Sequence, residues 1–334
     1  MSKKRLYILV DTMNMAFRAR HGGSKAADID QQIGMSMHIM LTSIASCVHR
    51  FGQDTEARVV FNFEGKSWRK KVSAQYKANR DLKKLERTPR EVEEDELFIE
   101  AVESFKEFVT EKTNAICLQH DELEADDFIA FWIQHHPDDD HIIVSTDSDY
   151  KQLIAENVDL FDGVRDYLYT IDGVFDNKGR PVEKKGVPLT VEPEYELFMK
   201  CIRGDKSDNI FSAYPGVREK GTKNKVGIRE AFEDRHDKGY NYNNFMLQRW
   251  TNHEGEEVRV KDAYAMNRLL IDLTAQPEEY KVKGAITIEN AKNAEPIPAA
   301  SIGFNFMKFC QMWALNRIGE KTDFFAGLLS KGYQ

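Results

Sequence analysis

The chain has 334 residues, 41% of them hydrophobic, with 47 Lys and Arg against 55 Asp and Glu for a formal net charge of -8. That length sustains a sizeable core in two domains or one enlarged one. The acidic balance excludes a bulk polycation that coats nucleic acid, so any nucleic-acid site must come from local segregation of charge. The four cysteines, Cys47, Cys117, Cys201 and Cys310, are scattered without a CxxC pair, which argues against a disulfide framework or zinc ribbon and fits a reducing compartment. The first apolar run, Leu6 to Val10, stops at Asp11, short of the ~7–15 residues of a signal peptide. No run approaches the ~18 apolar residues of a membrane span, so a soluble, cytoplasmic protein without membrane contact is expected.

In chain order, short β-branched or aromatic runs alternate with helical patterns. The runs are LYILV (6–10), VVFNF (59–63), AICLQ (115–119), HIIVST (141–146) and VDLF (158–161), and residues 33–50 are apolar around much of a helix. This alternation predicts an α/β fold with a central, mostly parallel sheet flanked by helices. Residues 172–190, rich in Gly, Pro and Lys, read as a hairpin or linker, and the last third reads as helical. There Phe306, Phe309, Cys310 and Trp313 fall at i, i+3, i+4 and i+7, one face of a helix turned to a core. The expected division is residues 1–190 and 191–334.

Charge is distributed unevenly. Residues 66–90 hold ten Lys and Arg with only Asp81 and Glu86 as acids, and residues 91–111 hold nine acids with only Lys106 as a base. From Thr113 to Tyr150 there is no Lys or Arg, while residues 121–150 carry ten Asp and Glu.

The acids concentrate where strands should end. Asp11 follows the first run; Glu124, Asp126 and Asp127 lie in DELEADDFIAFW at a predicted helix start; Asp147 and Asp149 follow HIIVST; Asp205 and Asp208 lie in CIRGDKSDNI. In an open parallel sheet the carboxyl ends of the strands share the edge where ligands bind. Carboxylates crowded there repel one another unless hard divalent cations compensate them, and two such ions ~4 Å apart suit phosphodiester hydrolysis. Each acidic motif alone reads slightly better as helix capping; four acidic clusters at strand ends, in a region without bases to pair with, reverse that and favour the metal reading. Phosphate-loop, GxGxxG and GxSxG motifs are absent. His120, His135, His136 and His141 lack zinc-site spacing and read as surface or loop residues.

The basic run follows the second strand, on the same edge. Arg69, Lys70, Lys71, Lys77, Arg80, Lys83 and Lys84, with Trp68 and Tyr76 interleaved, combine cations for phosphates with aromatics for stacking on bases. A second basic stretch, GVREKGTKNKVGIRE (216–230), places Arg218, Lys220, Lys223 and Lys225 among glycine turns, a pattern that holds a duplex backbone without reading sequence.

Taken together, ILVDTMNMAFRA (8–19), VVFNFEGKSWRKKVSAQYKANR (59–80), LEADD (123–127), VSTDSDYKQL (144–153), IRGDKSDNI (202–210) and, more loosely, NRLLIDL (267–273) resemble the bacteriophage 5′ nucleases. This is the flap endonuclease and 5′-3′ exonuclease group that includes phage ribonuclease H and the 5′-nuclease domain of bacterial DNA polymerase I. The resemblance implies a PIN-like nuclease core in residues 1–190 with a helical arch over about 70–112, and a helical DNA-binding region with a helix–three-turn–helix in 191–334. It implies two Mg²⁺ ions, with Mn²⁺ as a substitute. Asp11, Glu124 and Asp126 would serve the first ion; Asp147, Asp149, Asp205 and Asp208 the second; Asp127 falls in the same motif. Lys77 and Arg80 would contact the scissile phosphate, with Arg69 and Tyr76 as neighbouring substrate contacts. One departure concerns Asn62, which stands where the family has Asp and keeps one oxygen ligand without the charge, with Glu64 two residues on. A longer basic loop at 214–227 is the other.

The activity so implied is metal-dependent hydrolysis of 5′ flaps and of 5′ ends of DNA or RNA paired with DNA, as in RNA-primer removal during phage replication in the host cytoplasm. Substrate partners would be flapped, forked or nicked DNA and RNA–DNA hybrid, with a single-strand-binding protein or sliding clamp as candidate protein partners of a monomer. The alternatives are a branched-DNA-binding protein of weakened turnover, motivated by Asn62, and a single-strand ribonuclease of the same fold. The terminal FFAGLLSKGYQ (324–334) reads as a packed tail helix rather than a docking segment.

Overall fold

The computed structural model describes residues 4–22, 28–52, 57–252 and 255–333; the side chains of residues 81–83 are outside that description. The chain divides into two compact units, one of Met1–Ser67, Arg87–Thr190 and Pro277–Gln334 and the other of Trp68–Glu86 and Val191–Gln276.

The first unit is built on a seven-stranded sheet. Its strands are β1 (Leu6–Asp11), β2 (Ala57–Asn62), β3 (Ile116–Leu118), β4 (Asp140–Val144), β5 (Val158–Asp162), β6 (Tyr167–Thr170) and β7 (Gly173–Phe175). They lie in the order β3-β2-β1-β4-β5-β6-β7, with β1 to β5 parallel and β6 and β7 antiparallel. All five expected runs are strands of the expected mostly parallel α/β sheet. β1 is buried at every one of its positions, which is why it reads as a continuous apolar run rather than an alternating one. The order reverses between β1 and β4: the chain steps outward to β3, then returns to the other side of β1. That reversal opens a crevice at the carboxyl ends of these two strands. In register, Asp11 sits beside Asn62 and Val10 beside Val144.

Helices supply the core. Ile29–Phe51 buries Ile33, Met37, Met40, Leu41, Ile44 and Cys47, spaced for one helical face. Pro89–Lys112 starts where Thr88 and Glu91 form a capping box ahead of Pro89. Under its acidic exterior it buries Phe98, Ala101, Val102, Phe105, Phe108 and Val109. Phe108 stacks on Phe309 at 4.8 Å, and Phe306 on Phe325 at 5.0 Å. The tail helix Thr322–Leu329 buries Phe325, Leu328 and Leu329 in this core.

The boundaries thus differ from a single break after residue 190. Residues 277–334 return to the sheet unit because their aromatic stripe belongs to its core. The segment expected as one arch, 70–112, is shared: helices Arg69–Val72 and Ala78–Leu85 fall in the second unit and Pro89–Lys112 in the first. His136 and His141 are corrected too. They are buried, not surface residues, in a ring cluster with Tyr7 and Trp132.

The second unit packs helices Pro193–Arg203, Ile228–Glu233, Tyr240–Leu247 and Val260–Ile271 around Tyr195, Phe198, Ile202, Ile228, Phe232, Phe245 and Val260. Tyr76, Cys201, Ile210, Leu270 and Ile271 form a second small cluster there. No helix among the described residues is long and apolar enough to cross a membrane.

Candidate active site

Asp11 ends β1 at the crevice and is 6% exposed. Three donors from different parts of the chain converge on its carboxylate. The Asn14 N–H donates to Oδ1 at 3.1 Å, and the Ser145 and Tyr150 hydroxyls both donate to Oδ2 at 3.1 Å. Burial pushes the Asp11 carboxyl up to about 6, opposed first by the Asn14 bond and reinforced by the charge of Asp147. Asn14 Oδ1 in turn accepts from the Thr146 N–H and hydroxyl at 3.2 and 3.1 Å, clasping the helix after β1 to the end of β4.

Beyond β4 the Asp147 N–H donates to Ser145 Oγ at 3.1 Å, and Asp147 Oδ1 caps the 3-10 helix Ser148–Leu153 by accepting from the Asp149 N–H at 2.9 Å. One chain of hydrogen bonds therefore links Asp149, Asp147, Ser145 and Asp11.

The third acidic group sits at the start of helix Ala125–His135. Carboxylate oxygens of Glu124, Asp126 and Asp127 come within 4.8 Å of one another. Glu124 and Asp127 form a reciprocal capping box, with the Glu124 N–H donating to Asp127 Oδ2 at 3.1 Å; Asp127 thus has a defined capping role. Ser67 Oγ donates to Glu124 Oε2 at 2.5 Å. Glu64 Oε2 accepts from the Ala125 N–H at 3.3 Å. Glu64 reaches this helix because the backbone after β2 runs against residues 120–123: the Gly65 N–H donates to Leu123 O at 2.9 Å. A Cβ at position 65 would meet His120 O at 2.0 Å, so only glycine fits there.

Asn62, beside Asp11 on the next strand, donates through Nδ2 to Val10 O at 3.1 Å and Val60 O at 3.2 Å. Its Oδ1 is buried without a hydrogen-bond partner, a costly state for a carbonyl oxygen. The buried Tyr150 phenol lies in the field of several of these acids. Its pKa is raised by burial first and then by Asp11, Asp126, Asp147 and Glu64. These residues fit divalent cations: the donors are oxygens only, most of them anionic, and Asn62, in register with Asp11, adds an amide oxygen without a hydrogen-bond partner.

In the second unit Asp205 and Asp208 lie in the tight loop after helix Pro193–Arg203, closed by reciprocal backbone bonds between Asp205 and Ile210 at 2.7 and 2.9 Å. Gly204, at φ 73, makes that turn; a Cβ there would meet Ile210 O at 2.3 Å. The loop carries the basic pair. The Lys77 N–H donates to Asp208 O at 2.8 Å, Asn79 Nδ2 to Lys206 O at 3.1 Å and Asn209 Nδ2 to Gln75 O at 2.8 Å. Asp208 accepts from the Tyr76 hydroxyl at 3.1 Å and from Arg80 at 2.7 Å, with Lys77 Nζ at 3.9 Å. Asp205 is held at about 2: burial is opposed first by the Lys200 ammonium at 2.6 Å and then by Ser207.

Two expected substrate contacts are corrected by burial. Arg69 is 0% exposed, its Nε donating to Leu270 O at 2.9 Å and its guanidinium over the Trp68 ring, so it braces the unit rather than meeting a phosphate. The rings of Trp68 and Tyr76 are buried as well and offer no stacking platform. Lys70, Lys71, Arg80 and Lys84 are exposed; the Lys83 side chain lies outside the described residues. Arg218, Lys220, Lys223 and Lys225 are all exposed, on a loop closed by the Glu230 carboxylate accepting from the Gly221 and Gly227 N–H groups at 2.9 Å.

Sequence reasoning missed Asn14, Ser145, Ser67 and Tyr150 as parts of the site. The first two lie next to the strand-end acids, a proximity signal; the partner of Tyr150 lies 139 residues away.

Comparison with known proteins matches residues 6–179 to the family described as 5′-3′ exonuclease, N-terminal resolvase-like domain. A DNA polymerase I of Rhizobium leguminosarum is 31% identical over 182 residues, 54% of this chain; the chain spans 15% of that protein's length. The flap endonuclease of Escherichia phage T5 is 27% identical over 237 residues, 70% of this chain and 72% of that protein. The crystal structure of the T5 D15 protein co-crystallised with metal ions shares the fold, with a TM-score of 0.57 at 19% identity over 86% of this chain and 99% of that one. With more than half of its length matched, the chain belongs to the 5′-3′ exonuclease family.

Proposed function

We propose that the chain is a divalent-cation-dependent, structure-specific 5′ nuclease that hydrolyses phosphodiesters at 5′ flaps and at 5′ ends of DNA or RNA paired with DNA. The observation that carries this reading is that, in the unit where the strand order reverses, Glu124, Asp126 and Asp127 bring carboxylate oxygens within 4.8 Å of one another while hydrogen bonds tie Asp11 through Ser145 to Asp147, all of them oxygen donors. It agrees with the T5 relative's description as a flap endonuclease.

Asp11, Asn62, Glu124, Asp126, Asp147 and Asp149 are proposed to hold Mg²⁺, as two ions, or Mn²⁺. Bound cations there would supply an acidified water and neutralise charge on the phosphodiester. The residues themselves do the rest. Ser145, Tyr150 and Asn14 keep the Asp11 carboxylate oriented, and the Glu124–Asp127 box fixes its helix start. Lys77 and Arg80 bind the scissile phosphate and stabilise its developing charge. For Asp205 and Asp208 the family resemblance implies cation binding, and the bonds of their own unit add that Asp208 orients Arg80. Lys220, Lys223 and Lys225 contact duplex backbone. Removal of RNA primers in replication is the biological role this substrate class suggests.

The test is cleavage of a 5′-labelled DNA flap with Mg²⁺, wild type beside Asp147→Asn. Release near the junction, lost in the variant, is expected. Tight flap binding without cleavage in either Mg²⁺ or Mn²⁺ leaves a branched-DNA-binding protein, the reading that neutral Asn62 favours.

A further inference from the structure

Tyr150 helps to orient Asp11, and its placement says which oxygen of that carboxylate it takes. The side chain is 2% exposed on the 3-10 helix Ser148–Leu153, and its hydroxyl reaches back across the crevice to Asp11 Oδ2 at 3.1 Å. Filling that space needs only a ring; a phenylalanine would do it without burying a hydroxyl, which costs about 1–3 kcal/mol when unpartnered. Here the hydroxyl is buried and its partner is a buried carboxylate of the site. The same oxygen also accepts from Ser145 at 3.1 Å. Oδ2 thus carries two strong donors, whereas Oδ1 carries a single backbone N–H, from Asn14. In register with Asp11 on the neighbouring strand is Asn62, whose buried Oδ1 has no hydrogen-bond partner.

We propose that Tyr150 is a positioning residue of the cation site: its hydroxyl, with that of Ser145, occupies Asp11 Oδ2 and so leaves Oδ1 as the oxygen that Asp11 offers to a divalent cation. This rests on the nuclease reading above. Groups that orient metal-binding carboxylates act through the ligand, and their loss costs affinity on the order of 10–100-fold.

The experiment is Mn²⁺ alone titrated into the full chain at fixed pH, followed by electron paramagnetic resonance, for wild type, Tyr150→Phe and Ser145→Ala, with circular dichroism as a control of fold. Tyr150→Phe is expected to keep the wild-type spectrum and stoichiometry and to bind Mn²⁺ about 10-fold more weakly. Ser145→Ala, which removes the other donor to the same oxygen, is expected to do the same and serves alone if Tyr150→Phe does not fold. Isotherms within twofold of wild type in the folded variants overturn the positioning role and leave the nuclease reading standing. Absence of Mn²⁺ binding by the wild type overturns both.

Discussion

Replacing Asp11 by Asn should stabilise the metal-free protein near neutral pH and not at acidic pH. The Asp11 carboxyl stands at 3.8 in a solvated chain and at about 6 in the folded protein. Its neutral form is therefore the one the fold prefers. A raised carboxyl contributes stability that is fully present below 3.8 and is lost as the pH rises through 6. The span between those values corresponds to about 3 kcal/mol lost by pH 7.5. An amide of the same shape never charges, so it escapes that loss. It also presents an N–H₂ group where one oxygen accepted hydrogen bonds, at a cost of about 1–2 kcal/mol at every pH. The net expectation is a gain of about 1–2 kcal/mol at pH 7.5; at pH 4.5, where only about 1 kcal/mol of the wild-type stability has been lost, it is a loss of about 0–1 kcal/mol.

The assay is urea unfolding in EDTA at both pH values, wild type against variant. Taking the difference removes the other titrating groups, among them Asp159, which is also raised to about 6 by burial. A difference that does not change with pH, or a variant relatively less stable at pH 7.5 than at 4.5, refutes the reasoning. With millimolar Mg²⁺ the order at pH 7.5 should reverse, because only the wild type gains binding free energy in full.

Arg80→Ala should lower the flap-cleavage rate on the order of 100-fold with little change in flap affinity, read from single-turnover and binding assays; equal losses in both would make Arg80 a binding group only. Arg69→Ala should cost at least about 2 kcal/mol in urea unfolding because it strips a fully buried cation of its role. Lys225→Ala should leave stability unchanged and reduce the salt slope of duplex binding by ~0.9. His141 has both ring nitrogens buried without partners, and burial lowers its pKa to about 4. Its contribution is therefore present above 6.5 and lost as the pH falls toward 4, so His141→Phe should flatten the acid limb of stability; an unchanged limb would contradict the burial.

How much of this could be read from residues alone depended on whether the information was local. The parallel strands β1 to β5 are apolar runs with turn-formers at their ends, so their existence and order of appearance were visible. β6, the half-exposed YLYT, carries no such pattern and was invisible until its partner β5 was known. The strand-end acids were found because a parallel sheet brings carboxyl ends together whatever the side chains do. Tyr150 was missed because its meaning lies in one hydrogen bond across 139 residues. Arg69 and Tyr76 were misjudged for the converse reason. A run of ten bases resembles a solvated face, and nothing in the run says that Leu270, far along the chain, closes over two of its members.

The two units hold their carboxylates in place by different physical means. Asp205 is fixed by the Lys200 ammonium, and Asp208 by Arg80 with Lys77 close by. Charge there is balanced internally by cations of the same unit. Asp11 is held instead by neutral donors, two hydroxyls and an N–H, which orient a carboxylate without cancelling its charge. An acid buried in that way sits near 6 because its charge is incompletely compensated. Such a group is poised to gain from a bound cation in proportion to what burial costs it. Replacing Ser145 or Tyr150 by a cationic residue should therefore lower the Asp11 pKa and raise metal-free stability, while eliminating the reason for a divalent ion to bind.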